Sequence, residues 1–206
     1  MTTYYFIGIG GIGMSALASI LLQKGHTVAG SDLKESEITQ QLSAQGAQIF
    51  YQTPALEVLQ KPCTIVYSTA ISPSHPEMAI AKERNYPLLH RSELLFELMK
   101  EKKSLLVTGT HGKTTTTSLL THVLKTAQQD PSFVIGGIPW NSKKNGNQGE
   151  GAFFVAEADE SDASFLRTTP FGAIITNLDN DHLDFWKTLD RDRKSTRLNS
   201  SHGYRS

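Results

Sequence analysis

With 206 residues, 38% of them hydrophobic, the chain has room for one or two domains with real cores. Its 20 basic and 20 acidic residues cancel, so bulk charge points to neither nucleic acid nor membrane, and no apolar run approaches the roughly 18 residues of a membrane span. The single cysteine, Cys63, excludes an internal disulfide framework and fits a reducing cytoplasm, and the N-terminus enters a strand directly, without a signal-peptide pattern.

Residues 4–7 read as a short strand of aromatic and β-branched type. They run into Gly8-Ile9-Gly10-Gly11-Ile12-Gly13, then a helix over 14–24 stopped by Gly25, then a strand over 27–29 ending at Gly30-Ser31-Asp32. This fits the GxGxxG fingerprint on Gly8, Gly10 and Gly13, with an acid, Asp32, about 20 residues on. The glycines permit a tight turn, close approach of a phosphate and close helix–strand packing. Taken alone the fingerprint says NAD; a UDP-sugar diphosphate on the same helix N-terminus satisfies it equally.

A second helix is expected over 35–45, with Gly46 as its stop, then strands over 48–50 and 64–67. Ser68 and Thr69 lie at the carboxyl end of the latter, where ligands sit in open α/β sheets, and are candidate ligand contacts. A helix over 77–84 follows. Ser92 is expected to cap a leucine-rich helix running to about Lys102, with His90 and Arg91 before it read as surface residues. Residues 101–103 read as a linker, which divides the chain at about residue 100.

The second domain opens with Leu105-Leu106-Val107, a buried strand, then Gly109-Thr110-His111-Gly112-Lys113-Thr114-Thr115 and a helix to about Ala127. Strand, phosphate loop, helix is the reading. Small residues let backbone N–H groups converge on an anion, and the helix N-terminus adds about half a positive charge. Lys113 would reach the β- and γ-phosphates and the Thr114 hydroxyl would bind Mg²⁺. One departure stands out: the usual first glycine falls at Val107.

A strand over 133–135 leads to a polar loop over 139–150, expected to face solvent, with Trp140 as its anchor. Residues 152–156 are a strong buried-strand signal that delivers Glu157, Asp159, Glu160 and Asp162 at its carboxyl end. Clustered carboxylates repel one another without a cation, and a strand-end acid completes the Mg²⁺ shell in phosphoryl-transfer folds, so Glu157 is the first candidate metal ligand. Another strand, 171–176, leads to Asp181-His182, which makes His182 a candidate for a second metal.

Five stretches together resemble the Mur ligase family: FIGIGGIGMSALA (6–18), GSDLKES (30–36), GTHGKTTTT (109–117), EADESDASFL (157–166) and TNLDNDHLD (176–184). The resemblance runs from residue 4 to about 187. It accounts for Val107, because the loop of that family is typically GTxGKT. The implied fold is α/β: a Rossmann-like UDP-sugar-binding domain over 1–100, then a partial P-loop-type central ATP-binding domain over 101–191.

The implied chemistry is ATP-dependent amide-bond formation in peptidoglycan precursor synthesis, in the cytoplasm. ATP would phosphorylate the lactyl carboxylate of UDP-N-acetylmuramate, and the amine of L-alanine would displace phosphate from the acyl phosphate. By the same resemblance Gly109 to Thr115 would wrap the ATP phosphates, with Lys113 neutralising the transferred group. Thr114 and Glu157 would hold one Mg²⁺, and Glu157 with His182 a second metal. His182 would have to be neutral, so metal binding would weaken below pH about 6.5. Gly8, Gly10, Gly11 and Gly13 would cradle the UDP diphosphate, with Asp32, Ser68 and Thr69 close by.

The family has a third, C-terminal domain, and the match fades after Trp186. The last fifteen residues, 192–206, contain DRKSTRLNSSH, which is the translation in one frame of a common sequencing-library adapter. The expectation is therefore a non-native or disordered tail on a truncated chain with no C-terminal domain, unable to turn over. Setting that tail aside removes four basic residues and one acid, leaving 16 basic against 19 acidic. Other readings are a ligase that adds an intact tripeptide to the same UDP-sugar, a non-catalytic UDP-sugar-binding fragment, and an NAD-dependent oxidoreductase. The last leaves Lys113, Glu157 and His182 idle.

Overall fold

The computed structural model describes residues 2–51, 58–140, 143–158 and 169–177. In chain order its elements are β1 (Thr3–Ile7), α1 (Ile12–Gln23), β2 (Thr27–Asp32), α2 (Glu37–Ala44), β3 (Gln48–Tyr51), β4 (Thr64–Tyr67), α3 (Pro76–Glu83), β5 (Leu88–His90), α4 (Arg91–Met99), β6 (Lys103–Thr108), α5 (Lys113–Thr126), β7 (Ser132–Val134), β8 (Gly146–Asn147), β9 (Phe153–Glu157) and β10 (Gly172–Ile175). The chain forms two compact units. One comprises Met1–Leu95 with Ser142–Gln148, the other Phe96–Asn141 with Gly149–Ser206.

The first unit is a parallel sheet in the order β3-β2-β1-β4-β5. Strand β1 reads as a continuous apolar run because it is central: Tyr5, Phe6 and Ile7 are all buried, Tyr5 and Ile7 in a cluster with Leu59, Cys63, Ile65, Met78 and Ala81. From β1 the chain first builds outward through β2 and β3, then returns to lay β4 and β5 on the other side. The order reverses between β1 and β4, and the crevice beyond the carboxyl ends at such a reversal is where this architecture takes a ligand.

Local chemistry sets the element ends. Gly25, at φ +81, stops α1, its N–H donating to the Leu22 carbonyl. Ser36 caps α2: its hydroxyl accepts from the Thr39 N–H while the Thr39 hydroxyl accepts from the Ser36 N–H. The structure corrects the reading of Ser92. It lies inside α4, and His90 does the capping, with Nδ1 accepting from the Ser92 N–H at 3.4 Å and Glu93 Oε2 accepting from the His90 N–H at 2.9 Å. The same helix ends at Met99, not Lys102, and a short strand, β5, leads into it.

Residues 145–148 correct a second expectation: they are docked against α1 of the first unit, while Lys143 and Lys144 face solvent. Asn145 Nδ2 donates to the Ile12 carbonyl at 2.7 Å and to Ser15 Oγ at 2.9 Å, and the Gln148 N–H donates to Gln23 Oε1 at 3.0 Å. Gly146 makes this possible: a Cβ there would stand 2.4 Å from the Ala16 carbonyl oxygen. Trp140, expected to anchor the loop, is 93% exposed.

In the second unit the parallel strands run in the order β10-β6-β9-β7. Phe133, Ile135 and Val155 form its buried centre, covered by Leu105, Leu120 and Leu124. Strand β6 lies between β9 and β10, with Val107 paired to Glu157 and Thr108 to Ile175. The loops after these strands therefore open side by side at one end of the sheet. No helix of the described residues is long and apolar enough to cross a membrane.

Candidate functional site

Each unit carries a glycine turn from its first strand into its first helix. In the first unit, Gly8 takes φ +77, and the Gly8 and Ile9 N–H groups both donate to the Ser31 carbonyl at 2.9 Å. The Gly10 N–H donates to Asp32 Oδ2 at 2.7 Å, and Asp32 Oδ1 accepts from the Leu33 N–H at 2.8 Å. Asp32 thus spends both oxygens on main-chain amides, which holds the turn against the end of β2. A Cβ on Gly10 would sit 2.8 Å from that carboxylate.

Gly11 is the N-cap of α1 and no side chain caps it. The first intrahelical acceptance is Ser15 N–H to the Gly11 carbonyl at 2.8 Å, so the Ile12 and Gly13 amides precede the helical ladder, as the first amides of any helix do. That end of α1 is where an anion would dock. Arg91, expected on the surface, is half-buried, with Nη1 3.1 Å from where a Gly13 Cβ would stand. Ser68 and Thr69 follow β4, the strand next to β1; the Ser68 carbonyl closes its own turn by accepting the Ile71 N–H at 3.0 Å.

The second turn brings together a different set. Gly112, at φ +81, is the N-cap of α5, and Gly109 takes φ +124. Lys113 Nζ donates to the Gly109 carbonyl at 2.6 Å and the Thr110 carbonyl at 3.2 Å, which keeps the ammonium in the mouth of the loop. Thr115 lies exposed in the first turn of α5.

Glu157 ends β9, and the Thr114 hydroxyl donates to its Oε2 at 3.1 Å while the Gly136 N–H donates to Oε1 at 2.7 Å. These are hard oxygen donors, and adjacent ligands of an octahedral Mg²⁺ at 2.0–2.1 Å stand about 3 Å apart. The pair therefore fits a Mg²⁺ shell completed by phosphate and water. Residues 159, 160, 162 and 182, including the candidate ligand His182, lie outside the described residues.

Sequence reasoning missed the two groups that frame this site. After β10, Thr176 Oγ1 donates to the His111 carbonyl at 2.6 Å, and Asn177 grips the same residue twice. Its Oδ1 accepts from the His111 N–H at 2.9 Å, and its Nδ2 donates to the His111 carbonyl at 3.1 Å. On the other side Gly136 and Gly137 let the backbone close over Glu157 and Thr114: a Cβ on Gly136 would fall 2.6 Å from Glu157 Oε2. A signal existed in Gly136-Gly137 directly after an apolar strand, which marks a close backbone approach.

Comparison with known proteins follows this division. Residues 3–103 match the family model described as Mur ligase family, catalytic domain, and residues 107–195 match the Mur ligase middle domain. The chain is 46% identical over 195 residues to the UDP-N-acetylmuramate–L-alanine ligase of Carboxydothermus hydrogenoformans, an alignment covering 95% of this chain and 42% of that protein. Identity to the enzyme of the same name from Syntrophotalea carbinolica is 48% over 193 residues, covering 94% of this chain and 42% of that protein.

Among solved structures, the UDP-N-acetylmuramate-alanine ligase of Thermotoga maritima superposes with TM-score 0.90 at 33% identity, covering 98% of this chain and 48% of that one. A UDP-N-acetylmuramate:L-alanyl-gamma-D-glutamyl-meso-diaminopimelate ligase from Neisseria meningitides superposes with TM-score 0.87 at 28% identity, covering 100% and 69%. The chain spans about two fifths of the length of the curated relatives it matches.

Proposed function

The chain belongs to the Mur ligase family, and from that premise we propose that it carries the UDP-sugar-binding and phosphate-binding parts of a cytoplasmic, ATP-dependent UDP-N-acetylmuramate–L-alanine ligase of peptidoglycan synthesis. The observation that carries the reading is the Thr114–Glu157 oxygen pair at 3.1 Å, next to a lysine held in a glycine loop. An NAD-binding unit needs none of these groups. L-Alanine as acceptor, rather than a tripeptide, is supported by the relatives at 46–48% identity, all named for L-alanine.

In this reading the first unit binds and the second activates. The amides that open α1 receive the diphosphate of UDP-N-acetylmuramate, with Gly8, Gly10, Gly11 and Gly13 shaping the turn and Asp32, Ser68 and Thr69 at its rim. In the second unit Gly109, Thr110, His111, Gly112 and Thr115 line the ATP phosphates. Lys113 exchanges its loop carbonyls for phosphate oxygens and offsets the charge that develops on the transferred phosphoryl group. Thr114 and Glu157 would hold Mg²⁺, which would supply positive charge to offset that of the phosphates. His182 is the proposed ligand for a second metal with Glu157.

Titration calorimetry on the 206-residue chain tests this. UDP-N-acetylmuramate and Mg·ATP are expected to bind independently, and Lys113→Ala to abolish the second without changing the first. Tight NADH binding with none of UDP-N-acetylmuramate would overturn the reading. On a chain of the relatives' full length, phosphate release should require both L-alanine and the UDP-sugar.

A further inference from the structure

Glu77 is a carboxylate that the proposed function leaves without a task. It is the second residue of α3 and only 2% exposed, in the core of the first unit. Two hydroxyls from two different strands converge on it. Tyr5 on β1 donates to Oε1 at 2.5 Å, and Ser31 on β2 donates to Oε2 at 2.5 Å. Its own N–H donates to His75 Nδ1, the N-cap of α3, at 3.4 Å.

Burying a carboxylate is costly, and an apolar side chain of similar volume commonly serves stability as well or better. What an apolar group lacks is direction. Ser31 is the residue whose carbonyl accepts both the Gly8 and the Ile9 N–H, and the next residue, Asp32, accepts the Gly10 N–H. A line of bonds therefore runs from α3, through the Glu77 carboxylate and Ser31, to the turn that presents the N-terminus of α1. Tyr5, on the neighbouring strand β1, holds the other oxygen of the same carboxylate.

We propose that Glu77 is a positioning residue for nucleoside diphosphate binding, acting through Ser31 to fix the glycine turn ahead of α1. The inference rests on the reading that this turn receives the UDP diphosphate. It assigns Glu77 no contact with ligand.

The two oxygens supply the test, because a purely structural carboxylate would not distinguish its donors. Calorimetry with UDP on the 206-residue chain should show Ser31→Ala and Glu77→Gln each weakening binding about fivefold, with the double variant no weaker than either single one. Tyr5→Phe should lower the melting temperature yet leave UDP affinity at the wild-type value. ADP·Mg²⁺ titrated into the same samples should bind all variants alike.

Equal UDP affinity in Ser31→Ala and wild type would overturn the proposal, as would a Tyr5→Phe loss as large as that of Ser31→Ala. Should Glu77→Gln not fold by circular dichroism, Ser31→Ala and Tyr5→Phe decide the matter between them. A wild-type chain that binds no UDP removes the reading of the site and this inference with it. That outcome is distinct from one in which wild type and variants bind alike.

Discussion

The two glycine turns solve one problem with opposite means. Both follow a central parallel strand and open a helix, so both offer amides at a positive helix end. The first is fixed from outside: Ser31 and Asp32 hold the Gly8, Ile9 and Gly10 amides, and the turn contributes no cation of its own. The second is fixed across its width, by Lys113 on its own carbonyls and by Thr176 and Asn177 on His111. Only the second adds a lysine, a threonine hydroxyl and a strand-end glutamate. On the proposed function the difference has a reason: a turn that only holds an anion needs shape, whereas one that helps transfer a phosphoryl group needs charge placed where charge develops.

The widest gap between the turns should appear when each first glycine is replaced by alanine. Gly109 has φ +124, and its Cβ would lie 2.2 Å from Thr176 Oγ1 and 2.8 Å from the Asn177 carbonyl oxygen. Both the backbone and the clamp must give, at about 3 kcal/mol or more. Gly109→Ala is expected to lose about 100-fold or more in Mg·ADP affinity by calorimetry, with UDP binding intact. An affinity within a few-fold of wild type would mean that the clamp on His111 does not shape the phosphate site.

Second in size is Glu157→Gln. It keeps the volume and one oxygen but removes the charge beside Thr114, and it is expected to cost at least the roughly tenfold in Mg²⁺ affinity that loss of an outer-shell partner costs. Nucleotide titrated with EDTA present should bind both forms alike. If the variant also fails in EDTA, Glu157 serves the loop fold through Gly136 rather than the metal.

Gly8→Ala should be milder. Its Cβ would meet only Ile71 Cδ1, at an ordinary 3.7 Å, so the cost is confined to φ +77 and falls in the lower half of the roughly 1–2 kcal/mol of a left-handed residue. UDP affinity is expected to fall about fivefold to tenfold. A loss as large as that at Gly109 would show that the first turn is as tightly constrained as the second.

How far these turns were legible follows from the reach of their contacts. Gly8 to Gly13 and Gly109 to Thr114 are local patterns, and the strands that carry them are apolar runs, so both stood out in the sequence. So did Glu157, because it directly follows such a run. Ser31 to Glu77 spans 46 residues, and His111 to Asn177 spans 66; no local pattern encodes such pairs.

Ser92 misled because serine is the commoner cap, and nothing local says that a histidine one residue ahead of the helix will accept instead. Residues 145–148 read as loop because their composition is polar. They dock through Asn145 on a helix carbonyl and through a missing side chain at Gly146, neither of which shows as hydrophobic periodicity.

The least effect at neutral pH, and the one that separates the units by chemistry rather than geometry, is expected at Cys63. Burial in the first unit's core pushes its thiol up from 9.0 to about 11, because desolvation disfavours the thiolate. A folded-state value above the unfolded one contributes stability that is whole below pH 9 and lost as pH rises from 9.0 to about 11. Between those limits the unfolded chain ionises and the folded chain does not. The urea midpoint of the wild-type chain should therefore fall more steeply between pH 8.5 and 10.5 than that of Cys63→Ala. Lysine and tyrosine titrations are common to both and cancel in the difference. At pH 7 the two chains should bind UDP and Mg·ADP identically, and native Cys63 should resist thiol reagents until urea opens the first unit. Parallel midpoint curves would mean that water reaches this thiol in the folded state.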